Sequence, residues 1–148
     1  MPDRLFTADF EKQILELFDA QLVHPVEIIF FNLDLCESCD DTKILLEQLT
    51  ALSEKIFLKS YNYDDNPQLA QQYNVNLAPS LIIAGHERDD VIDYGIRFAG
   101  LPSGYEFSSL IQAILLVSRR DSGLKPETRK TLQGVKSPVN LKVFATPT

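Results

Sequence analysis

Two cysteines, Cys36 and Cys39, stand three positions apart where a strand-like run gives way to a helix-like one, and the chain has no others. A bond between them would close a two-residue loop. Such a loop restrains the unfolded chain very little, so the pair suits a disulfide that opens and closes better than it suits a structural staple. Thiols at a helix start also feel the positive end of the helix dipole, which lowers the pKa of the first thiol and makes it the better nucleophile.

The flanking pattern supplies the framework this placement needs. Val26–Phe31 is β-branched and aromatic and reads as a buried central strand. Asn32–Leu35 is a short loop, and a helix is expected from about Cys36 to Ser53, with Leu45, Leu49 and Leu52 on one face and Asp40 and Asp41 in its first turn. Before the strand, Phe10, Ile14, Phe18 and Leu22 recur at helical spacing behind Thr7, a suitable N-cap. After the helix come a strand over Ile56–Tyr63, a turn, and a short helix beginning at Pro67 and ending near Tyr73. Ser80–Ala84 and Val91–Phe98 read as a hairpin around a turn at Gly85–Asp90. Ser103 is expected to cap a last helix carrying Phe107, Leu110, Ile111, Ile114 and Leu115, with Glu106 at capping-box spacing. The order α-β-α-β-α-β-β-α predicts an α/β sandwich built on a mixed sheet. Beyond it, Asp121–Pro126 reads as a linker, Glu127–Leu132 as a short polar helix and Val139–Ala145 as a further strand.

Composition narrows the classes of function. A length of 148 residues with 45% hydrophobic and 24% charged residues fits one soluble domain. The longest apolar runs, such as Ile28–Phe31 and Ala113–Val117, are too short to span a membrane, and the first ten residues contain no apolar signal core. The expected location is therefore cytoplasmic, where such a cysteine pair is catalytic or metal-binding more often than structural. A net charge of −7 argues against nucleic acid or an anionic membrane as the main partner. Zinc needs about four ligands. Only His24 and His86 could join the cysteines, and both read as surface or loop histidines, so no metal is expected within one chain. A metal or cluster bridging two chains stays open.

Strand, cysteine pair at a helix start, strand, helix and X-Pro before a hairpin together resemble the thioredoxin fold, and Asn62–Leu81 is especially similar to thioredoxins in this region. With the N-terminal helix and Gly95–Phe107 (GIRFAGLPSGYEF), the chain resembles the first half of the two-unit protein disulfide oxidoreductases of the glutaredoxin-like group. The resemblance implies a central mixed four-stranded sheet flanked by helices, with an extra N-terminal helix and a C-terminal extension. It implies a thioredoxin-like unit over residues 1–120. Residues 121–148 would then be a linker, a short helix and the first strand of a second unit that is absent, because Lys142–Thr148 (KVFATPT) is similar to the start of that unit. That lone strand is expected to be disordered, to pack on its own domain, or to pair with another copy in a homodimer.

The implied activity is thiol–disulfide exchange on protein disulfides. Cys36 would attack and Cys39, one turn further in, would resolve the mixed disulfide. The resemblance further implies a cis Ala78–Pro79 bond facing the cysteines, with Ala78 and Pro79 binding an extended substrate. A flavoprotein reductase resembling thioredoxin reductase would recharge the pair, and the chain itself would carry no cofactor. The other reading is a non-catalytic docking or electron-relay module for the second unit. In the similar N-terminal domain of the flavoprotein component of alkyl hydroperoxide reductase, the first unit lacks its cysteines.

Some positions depart from the thioredoxin pattern. Phe30 and Ser60 stand where thioredoxins often carry a buried Asp and a Lys. Proton transfer at Cys39 would then use water or another group such as Glu37. Asp34, Glu37, Asp40 and Asp41 surround the cysteines, and negative neighbours raise a thiol pKa. Cys36 is expected to titrate below the unperturbed ~8.5 without being extremely acidic. The same acids disfavour glutathione, which presents carboxylates, unless the fold brings Arg97 close. Tyr105 and Phe107 read as core or interface residues, and Gly95, Gly100 and Gly104 as positions of backbone geometry or close packing.

Overall fold

The computed structural model describes residues 4–146. Helix α1 (Ala8–Gln21) opens the chain, and the Thr7 hydroxyl accepts from the Phe10 N–H at 3.3 Å to cap it. Strand β1 (Val26–Asn32) leads to helix α2 (Glu37–Thr50) and strand β2 (Ile56–Asn62), then to helix α3 (Pro67–Gln72). Strands β3 (Ser80–Glu87) and β4 (Asp90–Ala99) form the hairpin, and helices α4 (Tyr105–Arg119) and α5 (Pro126–Leu132) follow.

The four strands make one mixed sheet in the order β2-β1-β3-β4. β1 and β2 are parallel, as a helical crossover through α2 requires, and the other two pairs are antiparallel. Alternation along β1 divides the core. Val26, Ile28 and Phe30 face the larger cluster with α1, α2 and α4, where Phe18, Leu46, Leu49, Leu110 and Ile114 are fully buried. Ile29 and Phe31 face a smaller cluster with Ala70, Tyr73, Val75, Ile82 and Ala84 under α3. The sheet is thus flanked by helices on both faces, the thioredoxin-like arrangement expected for this chain.

Several local expectations are corrected. β3 does not turn at Gly85 but continues to Glu87, and Arg88 takes the turn with φ 57°. Gly85 is suited to the strand because the Tyr94 and Ile92 side chains lie 3.3 and 3.4 Å from where its Cβ would be. Ser103 does not cap α4. Gly104, with φ 59°, takes the N-cap position without a side-chain cap, and the Glu106 N–H reaches the Ser103 carbonyl instead. His86 is not a loop histidine, since it lies within β3. Val139–Ala145 forms no strand. Its Val139, Leu141, Val143 and Phe144 are 69 to 92% exposed, and the segment pairs with neither edge strand of the sheet, β2 or β4.

Candidate active site

One end of the sheet gathers the site. Phe31 of β1 pairs with Ser80 of β3, and Ser80 pairs with Ala99 of β4. At this end β1 runs out toward the cysteines, Pro79 enters β3, and Gly100 leaves β4. The Gly100 N–H donates to the Pro79 carbonyl at 2.8 Å, which ties these two loops together. Gly100 has φ 93°, a geometry that disfavours a side chain. The Ala78–Pro79 peptide bond is cis. Cys36, Ala78, Leu101 and Phe107 all pack at the border of the core cluster that contains Cys39.

Cys36 and Cys39 are joined as a disulfide, with Cα atoms 5.1 Å apart. Cys36 is the N-cap residue of α2, and its sulfur accepts from the Cys39 N–H at 3.2 Å. Ser38 Oγ lies 3.6 Å from the same sulfur. Cys36 is half-buried, whereas Cys39 is 1% exposed. A reagent from solvent therefore meets Cys36 first, and a thiolate there would receive a backbone N–H and the positive helix end. The last turn of the loop into the helix is strained: Leu35 has φ 56° and its side chain is fully exposed.

The acids around the pair are exposed and unneutralised. Asp34 accepts from the Asn62 amide at 3.3 Å. Among the described residues, Glu37, Asp40 and Asp41 form no ion pair. Arg97 does not relieve them. Its guanidinium makes two bonds to Asp93, at 2.7 and 2.8 Å, donates to the Tyr73 carbonyl at 2.9 Å, and lies over the Tyr73 ring. Arg97 holds the Asp93 carboxyl below its ordinary range. Cys39 is buried in the same apolar cluster as the fully buried Phe30, while Ser60 is exposed, so the inner sulfur sits among apolar side chains. Among the described residues no group of three or more His, Cys, Asp or Glu is placed to hold a metal. No helix there is long and apolar enough to cross a membrane.

Sequence reasoning passed over a buried ionic cluster at the opposite end of β1. The Glu27 side chain is 1% exposed, with Lys59 Nζ 3.0 Å from one oxygen and His86 Nδ1 2.8 Å from the other. The available signal was a lone acid inside an apolar strand, since buried carboxylates need partners. Leu35 and Leu101 were also passed over. Tyr105 is 81% exposed, so it is no core residue, whereas Phe107 packs on the core.

No family model matches the chain. The alkyl hydroperoxide reductase protein AhpF of Pseudomonas aeruginosa is 26% identical over 133 residues, which is 90% of this chain and 22% of that protein. Its counterpart in Staphylococcus epidermidis is 27% identical over 97% of this chain and 25% of its own length. The chain thus spans a quarter or less of these curated relatives. Among solved structures, the NTD_N/C domain of the alkylhydroperoxide reductase AhpF from Enterococcus faecalis superposes with a TM-score of 0.75 at 25% identity, over 86% of this chain and 59% of that one. A protein disulfide oxidoreductase from Aeropyrum pernix gives a TM-score of 0.75 at 25% identity, over 88% and 55%. The thioredoxin of Chlamydia caviae is 32% identical over 79 residues, 52% of this chain and 78% of that protein. With a mixed four-stranded sheet that ends at a Cys36–Cys39 disulfide, the chain belongs to the thioredoxin family, as a thioredoxin-like unit resembling the N-terminal domains of AhpF and the Aeropyrum oxidoreductase.

Proposed function

We propose that this chain is a thiol–disulfide oxidoreductase unit that acts on protein disulfides through reversible opening of the Cys36–Cys39 bond. The observation that carries the reading is the asymmetry of the two sulfurs: Cys36 is half-exposed at the helix N-cap and Cys39 is buried one turn in. In the reduced form the Cys36 thiolate attacks one sulfur of a substrate disulfide. A mixed disulfide forms and the first substrate thiolate leaves. Cys39 then attacks the Cys36 sulfur, the second substrate thiolate leaves, and the Cys36–Cys39 bond is restored. Two electrons have passed to the substrate, and a dithiol donor must return them. Ala78 and Pro79, at the same sheet end, would seat the substrate backbone.

The match to AhpF supports a second role, in which the pair relays electrons from a flavoprotein reductase to a further thioredoxin-like unit. Residues 121–148 would lead into that unit, and the exposed row from Val139 to Phe144 supports this use. Insulin reduction by the wild-type chain, Cys36→Ser and Cys39→Ser, with dithiothreitol as donor, tests the enzyme reading. Wild type should turn over, Cys36→Ser should be inert, and Cys39→Ser should accumulate a mixed disulfide. A wild type as inert as Cys36→Ser would refute catalysis by this chain.

A further inference from the structure

A groove beside the disulfide has no part in the exchange chemistry described above. It encloses about 540 Å³ between α1, α2 and the start of α4, and Phe6, Phe10, Leu45, Leu101 and Phe107 line it with Asp41. The three phenylalanine rings lie 5.4, 5.4 and 5.7 Å apart, centroid to centroid. Phe10 remains 38% exposed although the helical repeat aims it at the core. An open site with an aromatic floor fits one large apolar side chain.

Two of its walls are continuous with the redox site. Asp41 and Leu45 lie on α2 about 7.5 and 13.5 Å along the axis from Cys36, at 1.5 Å per residue. Leu101 directly follows Gly100, whose N–H is bonded to Pro79. An extended segment with its cysteine at Cys36 would reach the groove in about three or four residues.

Charge selects the kind of segment. Glu106 opens α4 beside the groove and, like Glu37, Asp40 and Asp41, forms no ion pair among the described residues. The nearby cations are already used, Arg4 by Glu11 at 2.9 Å and Lys43 by Glu47 at 4.0 Å. The bias extends over the whole body of the unit. Only two of the 21 acidic side chains, Asp121 and Glu127, follow Arg119, against six of the 14 basic ones.

We propose that this groove is a second docking site for the disulfide-bearing protein. It takes a cationic segment with a large apolar or aromatic side chain three or four residues from the reacting cysteine. The inference rests on the oxidoreductase reading and adds the substrate class to it. Neighbouring acids would steer such a segment to the site, an effect that raises association rates and fades with salt.

Four synthetic peptides test it, each with one cysteine blocked as a mixed disulfide with thionitrobenzoate. They carry Lys or Glu flanks, with Phe or Ala at the anchor position. The reduced wild-type chain should release thionitrobenzoate from the Lys–Phe peptide about tenfold faster than from the Glu–Phe or Lys–Ala peptide at low salt. Asp41→Asn with Glu106→Gln should shrink the Lys-to-Glu ratio, and Phe10→Ala the Phe-to-Ala ratio. Each ratio cancels any change in the reactivity of Cys36 itself. Hydroxyethyl disulfide, which has neither charge nor anchor, serves as the control oxidant. Equal rates on all four peptides, with normal oxidation by hydroxyethyl disulfide, overturn the docking site and leave the oxidoreductase reading standing. Failure with hydroxyethyl disulfide as well overturns both.

Discussion

The backbone N–H of Cys39 donates to Sγ of Cys36 at 3.2 Å, so the residue that closes the disulfide also offers the first sulfur a hydrogen bond. That bond and the helix N-terminus favour a Cys36 thiolate, while Glu37, Asp40 and Asp41 oppose it. The balance predicts a Cys36 pKa below that of an unperturbed cysteine, with the neighbouring acids limiting the shift. Removing a negative charge should strengthen the thiolate. Asp40→Asn and Asp41→Asn are each expected to lower the value by roughly a few tenths of a unit, and by less in high salt. The pH dependence of alkylation by iodoacetamide in the reduced protein measures this. An unchanged or higher pKa in both variants would show that the acids do not act on the sulfur.

Leu35 combines a positive φ of 56° with a fully exposed side chain directly before Cys36. The backbone strain costs on the order of 1 kcal/mol, and no burial offsets it. Leu35→Gly relieves the strain but loosens the unfolded chain, so the melting temperature should stay level or rise slightly. Insulin reduction should nevertheless fall about three- to tenfold, as expected if this leucine is covered by the substrate. A variant that is less stable but fully active would place Leu35 in the packing of the loop.

The elements that could be read from sequence are those whose signal is local. Val26–Phe31, the cysteine pair and Pro67 each announce their conformation within a few residues, and β1, α2 and α3 form where that reading puts them. What escaped depends on pairing across the chain. Glu27 looks like an isolated acid in an apolar strand until Lys59 and His86, from β2 and β3, close over it. Gly85 has the composition of a turn, and only the Tyr94 and Ile92 side chains beside it make glycine a suitable strand residue. The groove is assembled from α1, α2 and the approach to α4, so no single stretch shows it. The alternation over Val139–Ala145 is a real strand pattern, but the segment pairs with neither edge of the sheet, and an isolated strand has no ladder to hold it extended.

The Glu27 cluster should govern alkaline stability. The Glu27 carboxylate, ion-paired at 3.0 Å, raises the Lys59 ammonium above its ordinary 10.5. A group with a raised folded pKa stabilises the fold fully below its unfolded value and loses that contribution as pH climbs through the folded value. The loss from Lys59 therefore begins above about pH 10.5. Tyr73, raised above 10.0 chiefly by burial, adds a loss of the same sign. Urea midpoints at about pH 9 and about pH 11 should diverge more in wild type than in Glu27→Gln, which keeps the burial effect on Tyr73 but not the carboxylate beside Lys59. At neutral pH, Lys59→Met should cost about 1–3 kcal/mol, more than Glu27→Gln, because it leaves a buried carboxylate short of a partner. Equal pH dependence in wild type and Glu27→Gln would remove the pair from this role.

Asp93 and Arg97 make the corresponding prediction on the acid side. The Arg97 hydrogen bonds are the largest cause of the lowered Asp93 pKa; partial burial opposes them, and the Gly95 N–H assists at 2.9 Å. A depressed carboxyl stabilises the fold above its unfolded value, here 3.8, and loses that contribution as pH falls through the folded value. Both side chains are about one-third exposed, so the contribution is modest, well below about 1 kcal/mol. Asp93→Asn should therefore flatten the decline in stability below pH 3.8 while changing the neutral value little. Arg97→Met should be worse at neutral pH, because it also removes the donor to the Tyr73 carbonyl that ties β4 to the end of α3. Chemical denaturation of both variants from about pH 3 to about pH 7 separates the two effects. If Arg97→Met were no more destabilising than Asp93→Asn at neutral pH, the bond to Tyr73 would contribute nothing and the salt bridge alone would account for the arginine.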